Sequence, residues 1–415
     1  MHPMQAGVVI VGSGQGGFQV AASLRDEGFA GAITLIGDEP GLPYQRPPLS
    51  KAYLAGKSQP GQVELRPLAF SAERGIDVIA PQRVVSIARA ARRVTLASGK
   101  TLTYEHLVLA TGARARMPVI AGAGLMGIVA LRTRADADDL LALLQQARRV
   151  VIVGAGFIGL EVAVVAREMG LDVRILEFTD RVLKRAVSAE SAAFLAQAQI
   201  ERGIRISLLT GAAAYTGSDG RVTGVLTTQG ETVPADLVVV GIGVEPNVDL
   251  ARDAGLAVQE GIVVDQHLLT ADPAISAIGD CARFPAACAD GPLRLESVQN
   301  SVDQARCVAA RLSGKPEAYA KVAWFWSDQG PNRLQIAGVA LADDAAVLRG
   351  DPAAGKFSVF RFRAGRLSAV ESINSAGDHM AARKLLAHQT PVSPEQAADC
   401  SLKLTALAAN VHVHP

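Results

Sequence analysis

Short apolar, β-branched runs alternate with helical periodicities along this chain. Val8, Val9, Ile10 and Val11 form the first run. Four apolar residues in succession suit a strand buried on both faces. A helical pattern with Phe18, Ala21, Ala22 and Leu24 follows, and then a second run, AITLIG. The order returns later as Val150 to Val153, a helix over Leu160 to Met169, and VRILE. Strands alternating with helices in this way predict parallel α/β sheets.

The remaining elements read in the same terms. Ile76 to Thr103 predicts short strands with a hairpin signal at Ser98-Gly99, and HLVLATGA an apolar strand ending in Thr111-Gly112. In the segment GDEPGLPYQRPPLSKAYL four prolines prevent a continuous helix, and Ser50 is placed to cap a helix beginning near Lys51. Alone, this segment reads equally as a surface loop. Asp136 to Ala147 predicts a helix, Thr210 to Pro234 β-hairpins, and DLVVVGIGVEPN another buried strand. Ala277-Ile278-Gly279-Asp280 is a strand tip carrying an acid. Ser297 to Ser313 predicts a helix with Val298, Val302, Ala305, Val308, Ala309 and Leu312 at helical spacing. From about Lys321 the character changes. WFWSDQ brings both tryptophans together, and LQIAGVA, KFSVFRFR and a helix near His379 to His388 predict a small α+β domain. A short helix and a His-containing end follow Asp399.

The chemistry lies at the two strand–helix junctions. Gly12, Gly14 and Gly17 stand in G-x-G-x-x-G spacing, and Gly154, Gly156 and Gly159 repeat it. The three glycines serve a tight turn, close backbone approach to a pyrophosphate, and close helix–strand contact. An anion then sits over the helix N-terminus, where unpaired N–H groups and the dipole favour it. One such loop is a weak signal; two, each between a strand and a helix, are an internal repeat of a functional unit. Each is followed at a strand end by an acid suited to a ribose hydroxyl: Asp38, and Glu177, 177 − 159 = 18 residues after the third glycine. Two dinucleotides are expected.

Composition narrows the rest. With 415 residues, two or three domains are expected. The net charge of +1 makes no global case for nucleic acid or a membrane surface, and no apolar run has the length of a membrane span. A strand starts almost at once, which leaves no room for a signal peptide and predicts a cytoplasmic protein. The four cysteines, 281, 288, 307 and 400, lack C-x-x-C spacing and read as reduced structural thiols; no metal site is expected. The histidines read as solvated or core residues.

Taken together, the stretches VVIVGSGQGGFQVAASLR, LPYQRPPLSKAYL, LVLATGARAR, LRTRADAD, VVIVGAGFIGLEVA, LEFTDRVLKR, VVGIGVEPN, AIGDCARF, RLESVQNSVDQA and WFWSDQ span nearly the whole chain. In this order the chain resembles the FAD-dependent NADH:ferredoxin reductases of oxygenase systems. One departure is Gly330-Pro331-Asn332, where the family continues with a tyrosine and an acid; it bears on the shape near the flavin or partner surface. The resemblance implies a glutathione-reductase-like α/β fold with two Rossmann-type dinucleotide-binding domains plus a small α+β C-terminal domain. It implies an FAD domain over 1–112 and 245–320, an NAD domain over 113–244 and a C-terminal domain over 321–415.

For the FAD site it implies that Gly16 and its loop hold the pyrophosphate, with Gly12, Gly14 and Gly17, and that Asp38 holds the adenosine ribose. Val84 meets the adenine through its backbone, and Arg132 lies beside the FAD. Asp280, after Gly279, binds the ribityl chain, and Val298 offers backbone to the flavin ring; alone, Asp280 reads as a turn aspartate. Arg46, Lys51, Thr111, Gly112 and Trp326 complete the FAD set, and Gly154, Gly156, Gly159 and Glu177 bind NAD. Lys51 and Glu161 form an ion pair beside the flavin that biases its reduction; from the residues alone they are two unrelated charges.

The implied activity is hydride transfer from NADH to FAD, then single electrons to a 2Fe–2S ferredoxin serving a cytochrome P450 or a ring-hydroxylating dioxygenase. Arg306, Arg311, Arg383 and Lys384 are candidate docking cations. A rubredoxin as acceptor stays open. A disulfide or peroxide reductase needs a cysteine or a C-x4-C pair after the first strand–helix–strand unit, and none stands before 281. An NADH-sensing protein on the same fold is the remaining rival, disfavoured by the compact C-terminal region.

Overall fold

The computed structural model describes residues 7–286 and 291–409. Cys288 and the histidines at 2, 412 and 414 lie outside the described residues. The chain divides into two compact units. One comprises Met1–Gln45, Gly61–Arg114 and Glu245–Lys321; the other Arg46–Pro60, Ala115–Val244 and Val322–Pro415.

In the first unit a parallel sheet runs in the order Ile76–Ile79, Ile33–Ile36, Gly7–Val11, Thr101–Leu109, Ile275–Ala277. Val8 pairs with Ile33 on one side and His106 on the other, and every residue from Gly7 to Val11 is buried. The strand Thr101–Leu109 shows how one sequence serves two sheets. Its first half alternates exposed and buried, where it pairs antiparallel with Arg93–Leu96; its last four residues are all buried, where its neighbours are parallel. TLTYE alternates and HLVL does not, as one solvated and then no solvated face requires. The strand order reverses beside Gly7–Val11, which puts a crevice at the carboxyl ends of these strands. The expected hairpin turns at Gly99, with φ +83°.

The second unit holds a parallel sheet ordered Arg205–Ser207, Asp172–Leu176, Arg149–Val153, Leu237–Val240, Ile128–Ala130. The segment 212–234 forms three antiparallel strands, the β-hairpins expected over Thr210 to Pro234. The expected C-terminal α+β region is a five-stranded antiparallel sheet, Trp324–Gln329, Asn332–Gly338, Arg366–Ile373, Lys356–Arg363, Ala345–Asp351, with helix Ala376–Ala387 packed on it. Glu371 of that sheet is fully buried. It accepts from the Ser188 backbone N–H at 2.9 Å and hydroxyl at 2.7 Å, and pairs with Arg361 at 3.1 Å. Ser188 caps helix Ala189–Glu201, so Glu371 places its charge at a helix N-terminus.

Several boundaries shift for local reasons. The helix expected from Asp136 starts at Arg134 and ends at Leu144, because Thr133 and Asp136 form a capping box. The helix expected from Leu160 starts at Phe157, directly out of the glycine loop, and the one near His379 starts at Ala376. Ser50 does not cap a helix at Lys51: Pro47–Ser50 is a 3-10 turn, and the chain after it continues in turns. The departure at Gly330-Pro331 is a two-residue hairpin loop closed by the pair Gln329–Asn332. Gly330 has φ +63°, and a Cβ there would lie 2.7 Å from the Arg202 guanidinium. The departure therefore shapes a turn packed on Arg202.

Candidate active site

Each glycine loop is shaped by the fold at two positions and left open at the third. Gly12 has φ +109°, and a Cβ there would lie 2.1 Å from the Ala110 carbonyl oxygen. A Cβ on Gly17 would lie 1.8 Å from the Gly12 carbonyl oxygen. Gly14 differs: its backbone is extended, and a Cβ there would meet nothing within 4 Å. It is the N-cap of helix Gln15–Asp26, with no side-chain cap and no acid in the first turn. Neither a cap side chain nor a first-turn acid therefore offsets the positive end of this helix. Gly16 lies in the first helical turn, against Ile278 and Ser301.

The second loop repeats this. Gly154 has φ +103° with the Gly241 carbonyl 2.5 Å from a Cβ, and Gly159 faces the Gly154 carbonyl at 2.3 Å. Gly156, the uncapped N-cap of helix Phe157–Glu168, has only the Gly241 oxygen at 3.6 Å. Both loops fit a pyrophosphate.

Around the first loop, within its unit, Asp38 is exposed and pairs with Arg83 at 2.9 Å. Val84 is buried at the start of a strand beside it. Thr111 and Asn247 bond reciprocally, Thr111 Oγ1 to the Asn247 carbonyl at 2.7 Å and Asn247 Nδ2 to the Thr111 carbonyl at 2.8 Å. Gly112 follows with φ +65°. Gly279 has φ +71°, and its N–H donates to Gln304 Oε1 at 2.7 Å. Arg294 donates to the Asp280 carbonyl at 3.1 Å. Val298 is the first residue of helix Val298–Leu312, whose N-cap Ser297 accepts from the Asn300 N–H. Cys281 is fully buried; its thiol donates to the Ile278 carbonyl at 3.2 Å, and burial pushes its pKa up.

In the second unit, Glu177 Oε2 accepts from the Ala155 N–H at 2.7 Å, and Oε1 from the Thr179 N–H at 2.8 Å and hydroxyl at 2.7 Å. Arg181 donates to the Lys184 carbonyl at 3.5 Å. Arg46 donates to the Arg132 carbonyl at 2.6 Å. Tyr53 donates to Asp138 at 2.7 Å; burial and that bond push its phenol up to about 12. The expected Lys51–Glu161 pair forms at 2.8 Å, with Glu161 4% exposed. Two hydroxyls that the sequence did not connect with Glu161 join it: Ser50, expected as a helix cap, donates to Oε2 at 2.5 Å and Ser327 to Oε1 at 2.6 Å. Trp326 lies 5.6 Å from Trp324, over which the Arg383 guanidinium stacks at 4.6 Å.

Of the candidate docking cations, Arg311 is corrected. It is half-buried and donates to Ser276 Oγ at 2.6 Å, which in turn contacts His106 Nε2 at 2.9 Å. Among the described residues no cluster of His, Cys, Asp and Glu is arranged for a metal, and no helix is long and apolar enough to cross a membrane.

A family model for pyridine nucleotide-disulphide oxidoreductases matches residues 6–305, and one for the reductase C-terminal region matches residues 324–408. The chain belongs to the pyridine nucleotide-disulphide oxidoreductase family. It is 49% identical to rhodocoxin reductase of Rhodococcus erythropolis over 96% of this chain and 93% of that one. The crystal structure of the ferredoxin reductase for the CYP199A2 system of Rhodopseudomonas palustris superposes with a TM-score of 0.95 at 48% identity, covering 97% of this chain and all of that one. The reductase in the covalent putidaredoxin reductase–putidaredoxin complex gives 0.94 at 38% identity, covering 98% and 99%. Within the family the chain is thus similar along its whole length to ferredoxin reductases, FAD- and nicotinamide-dependent oxidoreductases. The family name includes disulfide chemistry, but no cysteine stands in the segment 37–54 where a dithiol would be needed.

Proposed function

We propose that this protein is an NADH:ferredoxin oxidoreductase: it takes a hydride from NADH onto FAD and passes electrons singly to a 2Fe–2S ferredoxin that serves an oxygenase, either a cytochrome P450 or a ring-hydroxylating dioxygenase. One observation carries the reading. Two helix N-termini, each reached through a glycine loop, lack a side-chain cap, and the middle glycine of each loop leaves room for a pyrophosphate to approach the backbone. FAD, when bound, supplies the hydride acceptor and the capacity to release electrons one at a time.

The chain's own residues bind and orient. We assign 1–112 with 245–320 to FAD, 113–244 to NADH and 321–415 to the C-terminal domain. Asp38 accepts from a ribose hydroxyl of FAD on leaving Arg83, and Glu177 does so for NADH. Asp280 and the Val298 N–H serve the ribityl chain and the flavin ring; the Val298 N–H favours negative charge through the dipole of its helix. Lys51 and Glu161 order the reductive site electrostatically. With three cysteines free among the described residues and NADH as donor, the protein belongs in the cytoplasm.

The test is a single preparation of FAD-loaded protein. NADH should bleach the flavin, and turnover with cytochrome c should then require an added 2Fe–2S ferredoxin from a purified panel that includes a rubredoxin. Turnover with the rubredoxin alone would replace the acceptor in this reading. Failure of every carrier, with normal flavin reduction, would end it.

A further inference from the structure

Glu161 is a buried carboxylate, and such a group must be paired and hydrogen-bonded to stay charged. Its three partners come from two separate stretches of chain. Lys51 and Ser50 belong to the proline-shaped turn, and Ser327 to the first strand of the C-terminal sheet, 166 residues away in sequence. Ser327 is itself fully buried.

The geometry of the strand and helix makes this contact specific. In Trp324–Gln329 side chains alternate, so Phe325 and Ser327 share one face and Trp324 and Trp326 the other. In Phe157–Glu168, Phe157 and Glu161 are four apart and share one face. The two pairs meet in register: the Phe325 and Phe157 rings lie 4.5 Å apart, and Ser327 donates to Glu161 at 2.6 Å. A helix spacing of four residues and a strand spacing of two each span about 6–7 Å, so one docking fixes both contacts. A buried inward strand position ordinarily takes an apolar residue. A hydroxyl there is favourable only if an acceptor meets it, and Glu161 does.

We propose that Ser327 and Ser50 are positioning residues that aim the Glu161 carboxylate at Lys51, making the C-terminal strand a working part of flavin reduction by NADH. The inference rests on the reading of the Lys51–Glu161 pair given above. Each serine fixes one carboxylate oxygen. Loss of either lets the carboxylate rotate away from the ammonium and loosens the field that the pair sets. On the opposite face of the same strand stand Trp324 and Trp326, so one strand carries the group that holds Glu161 and the paired indoles back to back.

The experiment uses FAD-loaded protein and NADH in stopped flow, after flavin content and thermal melting confirm each variant. Ser327→Ala should lower the limiting rate of flavin bleaching by roughly tenfold, while the apparent Kd for NADH stays within about twofold of the unmodified protein. In a Glu161→Gln background, which is itself slow, Ser327→Ala should add less than about a twofold change, because the acceptor charge it serves is gone. Ser50→Ala, on a different element, should behave alike and carries the test if Ser327→Ala does not retain FAD. An unmodified limiting rate in Ser327→Ala or, in that event, Ser50→Ala overturns the proposal, as does equal slowing with and without the Glu161 charge. If Glu161→Gln itself bleaches at the unmodified rate, the reading of the ion pair fails, and the proposal with it. A slow Glu161→Gln beside a normal Ser327→Ala sinks the proposal alone.

Discussion

Thr179 holds Glu177 twice, with its backbone N–H at 2.8 Å and its hydroxyl at 2.7 Å both reaching Oε1. Oε2 meets the Ala155 N–H of the glycine loop at 2.7 Å. A carboxylate offers about four lone-pair sites. Among the described residues three are committed, and the fourth lies on Oε2, beside the loop that would carry the nucleotide.

A single acceptor site suits one ribose hydroxyl and repels a 2′-phosphate, so NADH should be preferred over NADPH. Losing a hydrogen bond to a charged group costs about 1.5–3 kcal/mol. Glu177→Ala should therefore lower kcat/KM for NADH roughly ten- to a hundredfold and shrink the preference. Steady-state kinetics with both cofactors checks this; an unchanged ratio in the variant would refute it.

The middle glycine of each loop separates folding from binding. A methyl at Gly14 meets nothing within 4 Å in the protein, so Gly14→Ala should melt as the unmodified apoprotein does yet bind FAD weakly. Gly156→Ala should keep FAD and raise KM for NADH. Gly17→Ala drives a Cβ to within 1.8 Å of the Gly12 carbonyl and should not yield a stable fold. Differential scanning fluorimetry with FAD titration distinguishes the three; full FAD affinity in Gly14→Ala would show that no pyrophosphate occupies that space.

Acid should destabilise the fold through His106. Burial first, then the nearby Arg311, hold its imidazole down at about 3, against 6.5 when exposed. Arg311 donates to Ser276 Oγ, so that hydroxyl turns its proton to His106 Nε2, which must be unprotonated to accept it. The unfolded chain binds the proton first, so stability is full above about pH 6.5 and is lost as pH falls toward 3. From pH 6.5 to 5 the loss is about 2 kcal/mol. His379, held down at about 4 by burial and then by Arg383 and Arg333, adds to the same slope. His106→Gln should flatten the dependence of Tm on pH; an unaltered slope would assign it elsewhere.

Electron transfer should need no thiol. Burial raises the pKa of both Cys281 and Cys307, which disfavours the nucleophilic thiolate. With Cys281, Cys288, Cys307 and Cys400 all replaced by alanine, FAD-loaded protein should keep NADH-to-ferredoxin turnover within about threefold, the scale of packing changes alone. Turnover lost while flavin reduction stays normal would put a thiol on the electron path.

What the sequence displayed were features with a period or a fixed spacing. The strands Gly7–Val11 and Arg149–Val153 carry unbroken apolar runs, the helix faces repeat at 3.6 residues, and the glycine loops are short and local. Asp38 and Glu177 follow those loops at a characteristic distance. Ser50 and Ser327 carry no such mark: their acceptor lies 111 and 166 residues away, and a serine at a strand position looks the same whether it faces water or a buried charge. Arg311 misled for the opposite reason. A basic residue near a helix end reads as solvated, and only the fold shows Ser276 beneath it. The helix starts were missed where the cap is a glycine loop or a capping box, both of which lie upstream of the first apolar repeat.

The buried Glu371 bears on how such reductases exchange their parts. Its carboxylate leaves the C-terminal sheet to grip Ser188 at the head of a helix that precedes that sheet by more than a hundred residues. A graft that swapped everything after Lys321 for the same region of a relative, in order to change the electron acceptor, would bring a foreign residue opposite Ser188. Either the new residue is also a glutamate, or Ser188 loses its anion and Glu371 would have been cut from its mate. Modular recombination at that point is therefore constrained in pairs: the compatible unit of exchange is the C-terminal region together with the residue that opens the helix at Ala189.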